Sequence, residues 1–191
     1  MTAKARNYLF ISMVIFFFSV FLVLVCSRKN AERPEPETLG KIVADGSSAE
    51  FIKVKLFYYS DSSSFLQPVS RDIEVPEIRG GVYKKFIDLL LAGNSGLIVP
   101  VPDGVQLRSV FHLQKMEMLV LDFNDNLINV FPGGSAAEVE FIYFIVDNIC
   151  YNFREIKKVK ILGGGNENKT LAGHIDLEMP FFPDYNWLKD E

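Results

Sequence analysis

Gly133–Phe153 reads GGSAAEVEFIYFIVDNICYNF, and this stretch decides the fold class. Ser135 is followed three residues later by Glu138, with Ala136 and Ala137 between them. That spacing is a capping box, in which the serine oxygen takes an unpaired N–H and the glutamate returns to the serine N–H. It predicts a helix from Ala136 to about Phe153. At about 100° per residue, Val139, Ile142, Tyr143, Val146, Ile149, Cys150 and Phe153 gather on one side. Burying a large apolar side chain is worth about 1.5–3 kcal/mol, so this face should pack on a sheet. Phe141 and Phe144 project away from it, beside Asn148. They are expected to be exposed unless a loop covers them, and form a candidate interface.

Strands flank this helix. Val105–His112 and Met116–Phe123 read as a hairpin, and MEMLVLDF is apolar on both faces at its centre, as a central strand is. In the first of the two, Leu107, Ser109 and Phe111 share one side. Downstream, Ile156–Leu162 places Val159 and Ile161 on one side and Lys158 and Lys160 on the other, which predicts a wet sheet face. Further out, FIKVKLFYY at 51–59 alternates as a strand, and the run at 60–64 is a turn. Phe65–Val75 is a weaker strand interrupted by Pro68. A helix over Glu77–Ala92 carries the stripe Val82, Phe86, Leu89 and Leu90 and stops at Gly93. The order β, weak β, α, β, β, α, β implies an α+β fold. The expected form is a two-layer sandwich with two helices packed on one face of a small mixed sheet.

The chain has 191 residues, enough for one domain with a proper core. Tyr8–Val25 carries no charge and reaches the lower end of the roughly 17–25 apolar residues that span a bilayer. Residues 1–27 are therefore expected to be a transmembrane segment or a lipoprotein signal. Cys26 is the candidate lipid acceptor, although Val25 stands where such signals place a small residue. Residues 28–50, with AERPEPE and VADGSSAE, read as a flexible tether. The folded domain takes 51–180 and a C-terminal tail 181–191. Such a chain is membrane-anchored, with its domain on the periplasmic or extracellular face. Residues 31–191 hold 16 basic and 24 acidic side chains, which argues against nucleic acid as a partner.

Catalytic chemistry finds little to stand on. His112 and His174 lie far apart, with no cysteine or second histidine at ligand spacing, where zinc needs three or four donors. His174 and Asp176 form an isolated H-x-D. Gly133–Gly134 and Gly163–Gly165 lack the lysine or the spacing of a phosphate loop. Asp122 and Asp125, with Asn124 and Asn126, lack the calcium-loop spacing and its closing glutamate. No catalytic residue, cofactor or metal is expected.

Several segments taken together resemble the GerMN family of bacterial sporulation and spore-germination proteins and other envelope lipoproteins. They are FIKVKLFYYSD, FIDLLLAG, VPVPDGVQLRSV, LVLDFNDNL, GGSAAEVEFIYFIVDNI, IKKVKILGGG and the closing TLAGHIDL, spread over about residues 51–180. The resemblance implies a ring-building-motif-like fold and a non-enzymatic role in assembling a cell-envelope complex through protein–protein contacts, in sporulation or germination among other settings. It implies envelope or membrane proteins as partners, a second copy of the chain among them, with the membrane reached through residues 8–25 or a lipid on Cys26. Gly173, His174 and Asp176 fall in the family's closing motif, as a turn lock or partner contact. The alternatives are a module binding a glycan or small ligand, which would show a concave aromatic-lined pocket, and a cell-wall hydrolase, which would need a cleft joining His174 to an acid.

Overall fold

The computed structural model describes residues 50–61, 63–78 and 80–188. The transmembrane helix expected from the sequence is corrected: among the described residues no helix is long and apolar enough to cross a membrane. Residues 8–25 and Cys26 lie outside the described residues.

Two strands open the domain. β1 (Phe51–Ser60) and β2 (Ser63–Glu74) pair antiparallel, with Ile52 opposite Ile73 and Phe57 opposite Pro68. β2 is longer than its proline suggests. It sits at the edge of a two-stranded sheet, where a missing N–H is tolerated. After α1 (Gly81–Ala92) come β3 (Leu107–Leu113) and β4 (Met118–Phe123), antiparallel, then the single turn α2 (Asn126–Asn129). The long helix α3 (Ser135–Asn152) carries the chain over to β5 (Lys158–Gly163), which lies parallel to β4. Parallel strands need such a crossover, and it yields a mixed sheet of order β3-β4-β5.

Side-chain alternation places Leu119, Leu121 and Phe123 of β4, with Val159 and Ile161 of β5, on the face that meets the helices. All five are fully buried. The α+β arrangement expected from the sequence, helices on one face of a small mixed sheet, is the one observed.

α1 meets the core through Tyr83, Phe86, Ile87 and Leu90. Its stripe is rotated from the expected one, so that Val82 and Leu89 only flank the core. The cause is aromatic packing: Tyr83 and Phe86 both stand edge-on to Phe153, with ring centroids 4.9 and 5.1 Å away.

α3 is buried almost all round, as a helix at the centre of a domain must be. The exposed Phe141–Phe144 interface is therefore overturned. Phe141 packs against Phe123 and Phe131 at 5.9 and 5.5 Å, Phe144 lies 6.0 Å from Tyr58, and both phenylalanines are wholly buried. What covers them is the β1–β2 hairpin and the Phe131 loop, elements that a helical wheel does not contain.

The hairpin is seated by two asparagines. Asn148 Oδ1 accepts from the Phe57 N–H at 2.7 Å, and its Nδ2 donates to the Phe57 carbonyl at 2.9 Å. Asn152 repeats this with Lys55, at 2.8 and 2.7 Å. Two strand residues advance about 6.6 Å and four helix residues about 6 Å, so the repeats match. The amides occupy the edge of β1 that β2 leaves open. Replacing Asn148 by leucine, close in volume, orphans both backbone groups of Phe57, at about 1–3 kcal/mol each. Asn148→Leu should lower unfolding stability by roughly 2–4 kcal/mol, read from the midpoint of urea denaturation.

Candidate functional site

The capping box is not formed. Gly134 is the N-cap, and no side chain caps the helix. Glu138 instead turns inward, fully buried, and gathers the loop after Leu171. One oxygen accepts from the Ile175 N–H at 2.9 Å and the His174 N–H at 3.3 Å; the other accepts from His174 Nδ1 at 2.7 Å. An ionised carboxylate is acceptor-only, so Nδ1 carries the proton. Burial alone would raise the Glu138 pKa. The hydrogen bonds from Ile175, the His174 ring, and the Ala172 and His174 amides outweigh it and hold the carboxyl below its ordinary range.

Gly173 takes φ 112°, a conformation disfavoured for any residue with a Cβ. Asp176 accepts from the Glu178 N–H at 2.7 Å and pairs with Thr170 across the loop. Gly173, His174 and Asp176 thus lie together in one tight turn docked on α3. His174 does meet an acid, but Glu138 is saturated by donors, and among the described residues no nucleophilic side chain bonds the imidazole.

The remaining chemical candidates are spent on structure. His112 Nδ1 lies 3.1 Å from the Tyr83 hydroxyl, which donates to Glu155 at 2.8 Å. Asp122 accepts from the Gly165 N–H at 2.7 Å. Asn124 and Asn126 both donate to the Gly104 carbonyl. Cys150 is buried in α3. Among the described residues no three His, Cys, Asp or Glu side chains are placed to hold a metal ion.

The open face of the three-stranded sheet is less wet than Lys158 and Lys160 suggested. Lys160 is buried, donating to the Leu177 and Glu178 carbonyls at 2.9 and 2.6 Å. The same C-terminal run pairs Phe181 with Val159 and sets Phe182 under the Lys158 ammonium, 5.9 Å from the ring centre. At the β3 end the face is apolar and uncovered. Phe111 is 54% exposed, Met116 52% and Leu113 39%. The three line an open groove of about 1040 Å³ beside the start of α1.

A bulge puts them there. Leu107 pairs with Phe123, but Ser109 pairs with Asp122, so the extra residue, Arg108, switches the strand from one face to the other. Phe111 therefore leaves the side Leu107 occupies. Sequence alternation, which kept Leu107 and Phe111 together, missed this surface. The adjacent apolar pair Val110 and Phe111, which a strand must send to opposite faces, was the available hint.

A mixed sheet with two helices on one face, and a hairpin docked on the longer helix, defines the ring-building-motif-like class of small α+β domains. The chain belongs to the family described as "Germane: Sporulation and spore germination", which matches residues 55–169. As a member of that family it is a non-enzymatic domain. Among solved structures it is similar to the tandem GerMN domains of the sporulation protein GerM from Bacillus subtilis. The identity is 18% and the TM-score 0.53, over 80% of this chain and 51% of that one. This chain thus spans about half of that tandem. It is also similar to a Clostridium perfringens protein described as a lipoprotein, at 17% identity and TM-score 0.50, over 78% of this chain and 99% of that one. No curated protein matches it.

The Glu138 lock has a measurable signature. Glu138→Ala leaves the backbone N–H groups of Ala172, His174 and Ile175 and the imidazole without their acceptor and should cost roughly 2–3 kcal/mol, against about 1 for His174→Ala. Because the folded-state pKa is depressed, the ionised carboxylate stabilises the fold above the ordinary glutamate value of 4.5, and this stability is lost as pH falls through the lowered value. Glu138→Gln should lack that acid-side slope in urea titrations between pH 3 and 6.

Proposed function

We propose that this chain is an extracytoplasmic domain tethered at the membrane by its N-terminal region, where it supports assembly of a cell-envelope complex by binding another protein. The observation that carries this reading is the uncovered apolar cluster Phe111, Leu113 and Met116 at the free edge of a sheet whose other end is covered by the chain's own tail. Membership in a sporulation and germination family and the likeness to a protein described as a lipoprotein favour the envelope setting. A strand edge with apolar neighbours can take an extended segment or a packed face from a partner. Phe141 and Phe144 have no part in it.

The domain division follows: residues 1–27 as the membrane-directing segment, 28–50 as tether, 51–180 as the folded domain and 181–191 as the tail. In the closing motif, Gly173, His174 and Asp176 act as the turn lock. Cys26 is the site at which a lipid would hold the chain.

A photo-crosslinking residue at position 111 should give a discrete protein adduct in membrane preparations, and one at position 88, exposed on α1, should not. The pair Phe111→Ser and Met116→Ser should keep stability within about 0.5 kcal/mol while losing the adduct. Equal crosslinking from both positions would count against the β3 surface. Attachment is tested separately by intact mass of the membrane-extracted protein, which should show a processed chain beginning at an acylated Cys26. A soluble, unprocessed chain would remove the tether from this account.

A further inference from the structure

We propose that the groove beside β3 takes its partner by strand addition, and that the added strand alternates apolar residues with Lys or Arg. This rests on the partner-binding reading above and names the chemistry of the segment bound.

The groove follows the edge of β3 rather than either of its faces. Val110, Phe111, His112 and Leu113 all line it, although successive strand residues point to opposite sides. Val110 and His112 pair with Leu121 and Leu119, on the side that meets the helices. Phe111 and Leu113 pair with Val120 and Met118, on the other side. A channel that touches all four runs along the strand's edge. β3 ends the order β3-β4-β5, and among the described residues no isolated bridge reaches it. An edge strand turns a row of N–H and C=O groups outward. What fits beside it is an extended chain, whose backbone continues the ladder and whose side chains fall into two rows.

The two rows meet different chemistry. One lies over the exposed Phe111, Leu113 and Met116 and calls for apolar side chains. The other passes the start of α1, where Tyr83, His112 and Glu155 form a bonded set. The Tyr83 hydroxyl has a single proton and donates it to Glu155 Oε1 at 2.8 Å. Its oxygen therefore accepts from His112 Nδ1, 3.1 Å away, and in the neutral ring Nε2 is left as an acceptor. The second Glu155 oxygen is an acceptor as well. This row offers acceptors and a negative charge, and the side chain that answers both is a cation with protons to give. The groove's own cation, Lys115, is exposed on the turn beyond Leu113, at the end of the strand.

Two peptides test this against the isotope-labelled full-length chain in detergent micelles: acetyl-Gly-Val-Lys-Val-Lys-Val-Gly-amide, and the same peptide with glutamate for each lysine. The lysine peptide should shift the amide signals of Val110–Leu113 and bind several-fold tighter than the glutamate peptide, up to about fivefold. Glu155→Gln keeps the acceptor for Tyr83 and should abolish that preference; Lys115→Gln should not reduce it. In membrane preparations the lysine peptide should suppress the adduct formed from position 111. Equal binding of the two peptides, or a preference that survives Glu155→Gln, would overturn the inference while a persisting adduct left the partner reading standing. Absence of any adduct from position 111 would remove the partner reading, and this inference with it.

Discussion

The domain depends on the bonding of two side-chain amides to the edge of a strand. Asn148 and Asn152 each close a two-bond pair with a residue of β1. Without them the outer edge of that strand would be buried with its polar groups unmet, and the β1–β2 hairpin would have only apolar packing to fix its position. Buried backbone groups are nearly always paired in native structures. Here α3 supplies the partners that a further strand would otherwise provide. The aromatic layer between hairpin and helix, Phe57 on Tyr151 and Tyr58 near Phe144, takes its register from these bonds.

The same helix organises the rest of the domain. Its buried polar side chains serve as anchors, each for a different segment. Glu138 holds the loop at 172–175, Asn148 and Asn152 hold β1, and Asp147 holds the strap that begins at Asp184. Its apolar side chains meanwhile pack on the three-stranded sheet. A helix with segments on every side has no solvent face to spare, which is why aromatics that break its apolar stripe are still inside. In the low-dielectric interior each anchor is strong only when fully satisfied. Glu138 meets that condition with several donors; Asp147, with one oxygen unpaired among the described residues, does not.

This architecture leaves function at the periphery. The buried polar groups are committed to holding the chain together, in keeping with a non-enzymatic family. What remains available is the end of the sheet that the tail does not reach. There the bulge at Arg108 turns Phe111 outward, beside Leu113 and Met116. On the far side, Lys160 is drawn under the tail to satisfy two carbonyls, so one sheet face is divided between a self-covered half and an open one.

The sequence by itself determined the elements and their order, because strand alternation, helical spacing and glycine stops are local properties of the backbone. α3 is placed within a residue of its expected start, and the crossover to a parallel β5 follows from the βαβ order. The resemblance of the closing TLAGHIDL to a family motif likewise marked 173–176 as a place of interest. Only the tertiary structure decided which faces are inside. A helical wheel places Phe141, Phe144 and Asn148 outside because it contains one sheet and no hairpin. A capping box assigns Glu138 to its own helix end because the loop that outbids Ser135 for it lies more than thirty residues on. A one-residue bulge reverses a strand's faces without altering its composition. Local pattern sets what a segment can become; the competition among distant segments for the same buried surface and the same hydrogen-bonding groups sets where each side chain ends.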